Sequence, residues 1–336
     1  MTFNWIDPKK ICRLPHTLLT GSLLTVVLGA SATTQAMDLR FGHGGTAETA
    51  YQLGAERFSE LLSDKTDGEI SVTILGNSVM GHETEMFEQE MAGALDMAIV
   101  SPGLITDFSH SANIFSVPFL YRDVDHWQKI LDGQVGQEIA DRISQETGVK
   151  VLAYFGGGKR EVVSTKPVNS LADLKGLKIR TNPTEPLIAA WQAIGVKPSV
   201  MAWKEIYTGL QLGAIDGLLN EPEWVLRMRF NEVAPHLVMT DHDITVRLLT
   251  MSEQTWERLN ESEQQAVTMA ARESAAYARK VQLKQDAEAL ESLVDQGMKL
   301  HRIDRDKMQE MVKEPLKKVV ADMKLTDLYK MIKDVN

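Results

Sequence analysis

The segment from Leu171 to Pro222 carries the most regular pattern in the chain, because short apolar runs alternate there with stretches of helical periodicity. The apolar runs predict strands whose ends lie at Arg180, near Trp203 and at Asn220. Strands that alternate with helices predict a parallel sheet, and open α/β sheets bind ligands at the carboxyl ends of their strands. These three side chains are therefore candidate ligand contacts, although the pattern alone favours simpler roles in an ion pair, in core packing and in a turn.

Two turns earlier in the chain also follow predicted strands. The strand at 39–42 runs into the His-Gly-Gly sequence of 43–45, and a helix is predicted to begin near Thr46. A buried-type strand over 96–100 ends at Ser101, which Pro and Gly follow. The pattern favours a plain strand-to-helix turn for 43–45. The alternative is a set of backbone N–H groups that lines an anion site at the start of a helix.

A long helical pattern begins at Ser262 and continues without interruption to about Gln296. Ser262 and Gln265 match a capping box, which predicts the start of the helix there. About 35 residues of helix span roughly 50 Å at 1.5 Å per residue, which is longer than a medium-sized domain. The helix is therefore predicted to bridge two domains. A coiled coil is the alternative, but sustained apolar heptads are absent.

The first 36 residues have the composition of a secretory signal peptide, in which basic residues precede an apolar run over 18–30 and then small residues. The apolar run is too short to cross a membrane. Cleavage is predicted after Ala36, and a competing site lies after Ala32. Residues 1–36 are therefore expected to be removed during export.

Charge and cysteine content exclude several kinds of partner and chemistry. The 336 residues carry a formal net charge of −10, and the +2 of the first 36 residues leaves −12 on the remainder. An acidic body excludes nucleic acid and anionic membrane as the main partner. The single cysteine, Cys12, lies within the predicted signal peptide. The rest of the chain therefore contains no thiol nucleophile and no cysteine ligands for zinc.

No catalytic or nucleotide-binding motif is present. The glycines at 156–158 are not followed by the Lys and Ser or Thr of a phosphate-binding loop, and a strand rather than a helix follows them. The histidines lack HExxH spacing, and no G-x-S-x-G sequence occurs. The chain is therefore predicted not to be an enzyme and to need no cofactor. It has no predicted metal site, although the sequence leaves metal-assisted binding open.

Five sequence motifs resemble those of one family, the solute-binding proteins of tripartite ATP-independent periplasmic (TRAP) transporters of the dicarboxylate-binding type. They occur in the family's order and cover the chain beyond the signal peptide. They are LGNSVMG (75–81), LDMAIVSPG (95–103), DLKGLKIR (173–180), MAWKEIYTGLQLG (201–213) and DGLLNEP (216–222). The resemblance implies a two-lobed periplasmic binding protein of the α/β class, with a hinge and a long helix that bridges both lobes.

The expected first lobe comprises 37–157 plus 246–285, and the second lobe comprises 158–245 plus 286–336. The resemblance implies a periplasmic protein that closes on an organic acid anion and delivers it to a two-component integral membrane TRAP permease, without nucleotide. The alternatives are the soluble component of an ATP-driven importer and a periplasmic sensor of the same acid. An enzyme of a different class, acting on such an acid, would form product from it.

The resemblance also implies roles for individual residues. Arg180 is expected to hold the carboxylate, because its planar fork donates two parallel hydrogen bonds. Arg160, which lies 20 positions earlier, is expected to reach the same ligand. Asn220 would orient the ligand, and Trp203 would pack against its body. Glu83 stands where the family often has a polar ligand contact, although a helix-capping role fits it equally well.

The first lobe is expected to cover the ligand with loops 43–46 and 101–103, which makes His43 and Ser101 candidate contacts. Two departures from the family affect the predicted ligand. Lys159 replaces an aromatic residue, and the leucines at 218–219 replace a Gln-Glu pair whose glutamate contacts ligand hydroxyls in some relatives. These leucines favour a less hydroxylated acid. Dicarboxylates, keto acids, sugar acids and aromatic acids all remain possible ligands.

Overall fold

A computed structural model describes residues 37–336, together with the isolated Thr2. The predicted signal peptide and Cys12 therefore lie outside the described residues. No helix in the described part of the chain has the length and the apolar character needed to cross a membrane.

Within residues 37–336 the chain forms nine strands and eleven helices. The strands β1 to β9 are Met37–Gly42, Ile70–Leu75, Met97–Val100, Val149–Ser164, Lys178–Thr181, Lys197–Val200, Gly217–Asn220, His236–Ser252 and Lys299–Arg302. The helices α1 to α11 are Ala50–Lys65, Glu83–Met91, Val124–Leu131, Gln134–Thr147, Glu185–Ile194, Ile206–Gln211, Pro222–Arg227, Glu253–Arg258, Glu261–Asp295, Arg305–Asp322 and Thr326–Asp334.

The described strands form one mixed sheet in the order β2-β1-β3-β8-β4-β7-β5-β6, and β9 pairs with β8. Strands β1, β2 and β3 are mutually parallel, and so are β5, β6 and β7, as the alternation of strands and helices predicts. The antiparallel strands β4 and β8 lie between these two sets. We call the two parts of the sheet the β1–β3 half and the β5–β7 half.

Strands β4 and β8 connect the two halves, because they pair with each other while β8 also pairs with β3 and β4 also pairs with β7. Their pairing shifts register between Gly156 and Lys159. Gly156 and Gly157 have φ angles of +106° and +101°, a conformation that residues with a Cβ rarely adopt. A Cβ on Gly156 would also collide with the carbonyl oxygen of Thr245. The glycines at 156–158 therefore produce a bulge inside a continuous strand at the crossing between the halves.

Helix α9 has the predicted length of 35 residues, but it begins differently from the prediction. The capping box is formed by Asn260 and Glu263, not by Ser262 and Gln265. Asn260 Oδ1 accepts hydrogen bonds from the backbone N–H groups of Ser262 and Glu263, which places Ser262 in the first helical turn. The helix packs against α1 and β4 and also against α7, so it contacts both halves as predicted.

The described residues from 37 onward belong to one compact unit. Helix α10 packs on α5, whereas the C-terminal helix α11 packs on α4. The chain therefore returns to the β1–β3 half only with α11, after α10. The lobe boundaries 37–157 plus 246–285 and 158–245 plus 286–336 remain a prediction.

Candidate functional site

A cavity of about 140 Å³ lies beside the carboxyl ends of β3, β5 and β7, between the two halves of the sheet. Six of the seven predicted site residues line it. The lining residues are Gly44, Tyr51, Ser78, His82, Glu83, Ser101, Leu104, Arg160, Arg180, Asn182, Trp203, Leu219, Asn220, Trp224 and Arg247. The strand ends that the sequence patterns identified therefore meet at one place.

His43 is the predicted residue that does not line the cavity. Its side chain is fully buried, and its Nδ1 accepts a hydrogen bond from the backbone N–H of Gly45 at 3.2 Å. Burial lowers the pKa of His43 to about 4, which leaves the ring neutral. Helix α1 begins at Ala50 with Thr49 as its cap, not near Thr46, so the turn is not a helix N-terminus. The neighbouring Gly44 faces the cavity in its place.

Arg180 is held by neutral acceptors. Its Nε donates to the carbonyl oxygen of Met201 at 3.0 Å, and its Nη1 donates to Oδ1 of Asn182 at 3.1 Å. Within residues 37–336 it forms no salt bridge. Burial and the positive charge of Arg160 lower the pKa of Arg180 to about 10, so the side chain is still protonated at neutral pH. The guanidinium is thus oriented but not neutralised.

Arg160 lies on β4 next to a buried carboxylate. Its Nε is 3.7 Å from Oε2 of Glu221, too long for a hydrogen bond. Among the described residues neither of these two buried atoms has a hydrogen-bond partner. The hydroxyl of Thr245 donates to the other oxygen of Glu221. Burial raises the pKa of Asp243 to about 7, against the opposing effect of Arg160. Arg160 is therefore only partly balanced by negative charge.

Asn220 and Trp203 occupy the cavity wall from the β5–β7 half. Asn220 ends β7, is buried, and accepts the backbone N–H of Glu221 on its Oδ1 at 3.1 Å. Its amide nitrogen therefore remains available as a donor. Trp203 packs edge-on against Trp224 and Phe230, with ring centroids 6.1 and 5.6 Å apart. It thus combines core packing with a flat surface in the cavity wall.

Glu83 and Ser101 are coupled in the wall from the β1–β3 half. Glu83 is the first residue of α2, and its Oε2 accepts the backbone N–H of Ser101 at 2.6 Å. Ser101 follows β3 directly and is buried. Glu83 therefore fixes the loop after β3 and lines the cavity at the same time.

Among the residues of the cavity wall that the sequence patterns did not identify as ligand contacts, four are polar or aromatic groups near the three guanidinium side chains or are one of them: Asn182, Trp224, Tyr51 and Arg247. Asn182 and Trp224 lie close in sequence to the predicted strand ends, and Tyr51 and Arg247 do not. Arg247 is a lone charged residue within the strand pattern ITVRLLTM, and that feature is a signal from which it could have been found. Tyr51 gives no comparable signal, because an aromatic residue on a helix is ordinarily core packing.

The described residues contain no candidate metal site. Within 37–336 no group of three or more His, Cys, Asp or Glu side chains has an arrangement that could hold a metal ion.

A cleft between two α/β halves, lined by guanidinium groups and by aromatic walls, defines the class of two-lobed solute-binding proteins. Residues 41–323 match the family of bacterial extracellular solute-binding proteins, family 7, and the chain belongs to this family. It is therefore a binding protein that serves transport, and not an enzyme. The resemblance drawn from the five motifs is confirmed.

Three known proteins illustrate the similarity. The 2,3-diketo-L-gulonate-binding periplasmic protein YiaO of Escherichia coli is 32% identical over 285 residues, which are 84% of this chain and 87% of that protein. A TRAP periplasmic solute-binding protein from Sulfitobacter sp. NAS-14.1, solved with bound α-D-taluronate, has a TM-score of 0.84 and 32% identity. A second, from Pseudomonas putida F1 with bound D-glucuronate, has the same values. Both alignments cover 89% of this chain and 98% of the solved chain.

Proposed function

We propose that this chain binds a sugar acid through its carboxylate and delivers it to a two-component TRAP permease. The observation that carries the proposal is the cavity of about 140 Å³ with three guanidinium groups. Arg180 and Arg247 form no salt bridge within residues 37–336, and Arg160 has only a long contact with Glu221. A buried cation without a paired anion is unfavourable, so a bound carboxylate supplies the missing charge.

In the proposed binding mode Arg180 holds the carboxylate with two parallel hydrogen bonds, and Arg160 adds a third donor. The amide nitrogen of Asn220 fixes the orientation of the same group. Trp203 packs against the apolar face of the sugar ring. Ser101 and the loop at 43–46, which presents Gly44 rather than His43, cover the ligand from the β1–β3 half.

Sugar acids are proposed because relatives at similar sequence distance bind α-D-taluronate, D-glucuronate and 2,3-diketo-L-gulonate. This reverses the preference for a less hydroxylated acid, which rested on the leucines at 218–219. Leu219 does line the cavity, but Tyr51, Ser78 and Glu83 offer polar groups from the opposite wall. Hydroxyl groups that turn toward that wall are not left without hydrogen bonds.

The location, the partner and the closing motion belong to the same proposal. Residues 1–36 are removed as a signal peptide, and the mature chain acts in the periplasm. The two lobes rotate about β4 and β8, and the closed form is recognised by the permease. Deletion of the gene should abolish uptake of the sugar acid. Normal uptake together with a lost chemotactic or transcriptional response would assign the chain to sensing instead.

A thermal-shift screen of the mature chain tests the binding proposal. The panel contains D-glucuronate, D-galacturonate, D-gluconate, succinate and, as a neutral control, D-glucose. A ligand at 100 times its Kd adds about 2.7 kcal/mol to the free energy of unfolding, which is readily measured. We expect at least one sugar acid to stabilise the wild type, and D-glucose to have no effect.

The variants Arg180→Ala and Arg180→Lys are screened in parallel, because Lys keeps the charge and loses the planar fork. Both should lose the response to the acids while their unliganded stability stays close to that of the wild type. Equal shifts in wild type and variants would mean that Arg180 does not bind the ligand. A response to D-glucose alone would overturn the carboxylate proposal itself.

A further inference from the structure

A second cavity, of about 250 Å³, borders the crossing strands β4 and β8, and none of its lining residues lines the ligand cavity. We call it the crossing cavity. It is lined by the segment 119–123 before α3, by Lys159 of β4, by residues 241–244 of β8 and by Arg305, the first residue of α10. Residues 122 and 123 are exposed, so part of its wall lies at the protein surface.

Arg305 is held at the crossing cavity by neutral groups. Its Nε donates to the carbonyl oxygen of Asp241 at 3.3 Å, and its guanidinium lies 5.3 Å from the ring centre of Phe119. Within residues 37–336 it forms no salt bridge, and its two terminal nitrogens donate no hydrogen bond. The planar end of the side chain is therefore positioned, and it can still hold an oxyanion with parallel hydrogen bonds.

Two further cations lie near Arg305. Lys333 Nζ donates to the carbonyl oxygens of residues 119–120 at 2.7 and 2.6 Å, and Arg122 Nη1 donates to that of Val335 at 2.9 Å. In the described part of the chain neither side chain forms a salt bridge. Burial and the positive charges of Arg122 and Arg305 lower the pKa of Lys333 to about 8. The three cations therefore repel one another, and an anion beside them would relieve this repulsion.

The carboxylates of the crossing cavity do not balance these cations. Asp241 pairs instead with Lys159, at 3.1 Å. Asp123 is the cap of α3, and its Oδ1 accepts the backbone N–H of His126. Burial raises the pKa of Asp243 to about 7, so a large fraction of this carboxyl is protonated at neutral pH. The positive charge around the cavity therefore exceeds the negative charge.

The wall of the crossing cavity also contains buried polar groups and strained backbone. Among the described residues, Nε2 of His242 and the hydroxyl of Tyr121 are buried without a hydrogen-bond partner. Phe119 and Asp241 have φ angles of +57° and +44°, which residues with a Cβ rarely adopt. Each of these features lowers stability, and strain of this kind is concentrated at functional sites. The wall is therefore typical of a binding site rather than of ordinary packing.

We propose that the crossing cavity binds a small oxyanion, a phosphate or a carboxylate, through Arg305, Arg122 and Lys333. This site is distinct from the ligand cavity and does not depend on the function proposed for it. Its wall joins the crossing strands to the start of α10, and α10 packs on α5 of the β5–β7 half. A bound oxyanion therefore ties that half to the crossing strands.

Isothermal titration of the mature chain with inorganic phosphate and with acetate, at neutral pH and constant ionic strength, tests this site. The two probes distinguish a phosphate ligand from a carboxylate ligand. Both are titrated into the wild type and into Arg180→Lys, because this substitution removes the expected carboxylate contact of the ligand cavity. We expect one of the two anions to saturate a single site in Arg180→Lys.

Arg305→Gln removes the planar fork and its charge from the crossing cavity. It should lower the affinity for that anion at least about tenfold, because charge-assisted hydrogen bonds are lost. Arg122→Gln should act in the same direction. The matched control is Arg302→Gln, because Arg302 is exposed on β9 outside the cavity and its replacement should leave the affinity within about twofold. If Arg305→Gln does not fold, Arg122→Gln decides the question.

Equal losses in Arg305→Gln and Arg302→Gln would mean that the anion responds only to net charge, which would overturn the oxyanion site. Anion binding that occurs in the wild type and disappears in Arg180→Lys would place the anion in the ligand cavity, with the same consequence. Failure of both anions to bind Arg180→Lys would also overturn the site. None of these results bears on the binding of sugar acids by the wild type, so the two proposals fail separately.

Discussion

Three buried carboxylates, those of Glu221, Glu223 and Asp286, lie close to Gly158 at the crossing of the two halves. Asp286 Oδ1 accepts the backbone N–H of Glu223 at 3.2 Å, and Gln282 donates to both Glu223 and Asp286. Burial and the negative charge of Glu221 raise the pKa of Asp286 to about 8. Asp286 therefore keeps its proton at neutral pH, whereas Glu223 forms a salt bridge with Arg227 at 3.0 Å.

Asp286→Asn should make the chain more stable at alkaline pH. Below pH 4 the carboxyl is protonated in both states. Between about pH 4 and pH 8 the unfolded chain loses this proton and the folded chain keeps it, so the free energy of unfolding of the wild type falls as pH rises. One pKa unit corresponds to about 1.4 kcal/mol. Because part of the raised pKa of Asp286 is shared with the neighbouring carboxylates, we expect the free energy of unfolding of Asp286→Asn to exceed that of the wild type by only about 2 kcal/mol at pH 8. At pH 4 the two should be equally stable.

Urea unfolding of wild type and Asp286→Asn at pH 4, 6 and 8 measures this difference. Asp295→Asn is the matched control, because Asp295 is exposed at the end of the same helix and its replacement should leave the pH profile unchanged. Parallel profiles for wild type and Asp286→Asn would contradict the assignment of the proton to this residue.

Individual site residues differ in how far the sequence could predict them. Arg180 and Asn220 each stand near the end of a recognisable strand within one continuous motif block. Local pattern therefore placed them at the same edge of the sheet, and the family resemblance supplied their expected roles. Tyr51 and Arg247 are 196 positions apart and meet only because α1 packs beside the β3–β8 pair. That contact depends on strand order and register, which no local pattern encodes. His43 does not line the cavity, and the predicted helix start near Thr46 was wrong because Thr49 rather than Thr46 caps α1.

Among the elements, α9 shows how a correct length and a wrong boundary can coexist. Its 35 residues follow from uninterrupted periodicity, whereas its start depends on which of two overlapping capping patterns wins. Asn260 with Glu263 and Ser262 with Gln265 both satisfy the rule. Asn260 prevails, since its extended backbone conformation lets its Oδ1 reach two N–H groups.

The bulge of β4 leads to the second prediction. Gly156→Ala and Gly157→Ala place a Cβ at nearly equal positive φ angles, +106° and +101°, so they carry similar backbone strain. Only at Gly156 does the Cβ meet a backbone oxygen, that of Thr245, whereas at Gly157 the nearest atoms belong to Trp127 at 3.8 Å. We expect Gly156→Ala to be less stable than Gly157→Ala by about 2 kcal/mol or more in urea unfolding.

Gly157→Ala thus serves as the matched control for Gly156→Ala. Equal losses of stability in the two variants would show that strand β8 does not approach β4 closely at Thr245.

At the scale of the whole molecule, the fold class was predictable because the motif block and the long helix imply two halves joined by several crossings. The lobe boundaries were not tested in the same way, since β4 and β8 form one sheet with both halves and α11 packs back on α4. Lobes are defined by the elements that move together when the ligand binds. Distance measurements between the halves in the free and bound states are needed to define the lobes.

The absence of cysteine outside Cys12 makes such measurements straightforward, because a chain that lacks residues 1–36 has no native thiol to remove. Val79 and Val200 are 65% and 58% exposed. Val79 follows Ser78, a residue of the cavity wall, and Val200 precedes Met201, whose carbonyl oxygen accepts from Arg180. Spin labels are attached at Val79→Cys and Val200→Cys. Saturating D-glucuronate or D-galacturonate should shorten the distance between the two labels by several ångströms and narrow its distribution. The reason is that the two halves close on the ligand and exclude water from the charged site. The distance between labels at Val200→Cys and Leu212→Cys, both within the β5–β7 half, should not change.

Arg180→Lys should keep the Val79–Val200 distance at its unliganded value, because a ligand shifts the equilibrium only by its differential affinity for the closed form. If the ligand binds and the Val79–Val200 distance stays constant, binding occurs without hinge closure. A permease would then have to recognise the ligand itself rather than the shape of the binding protein.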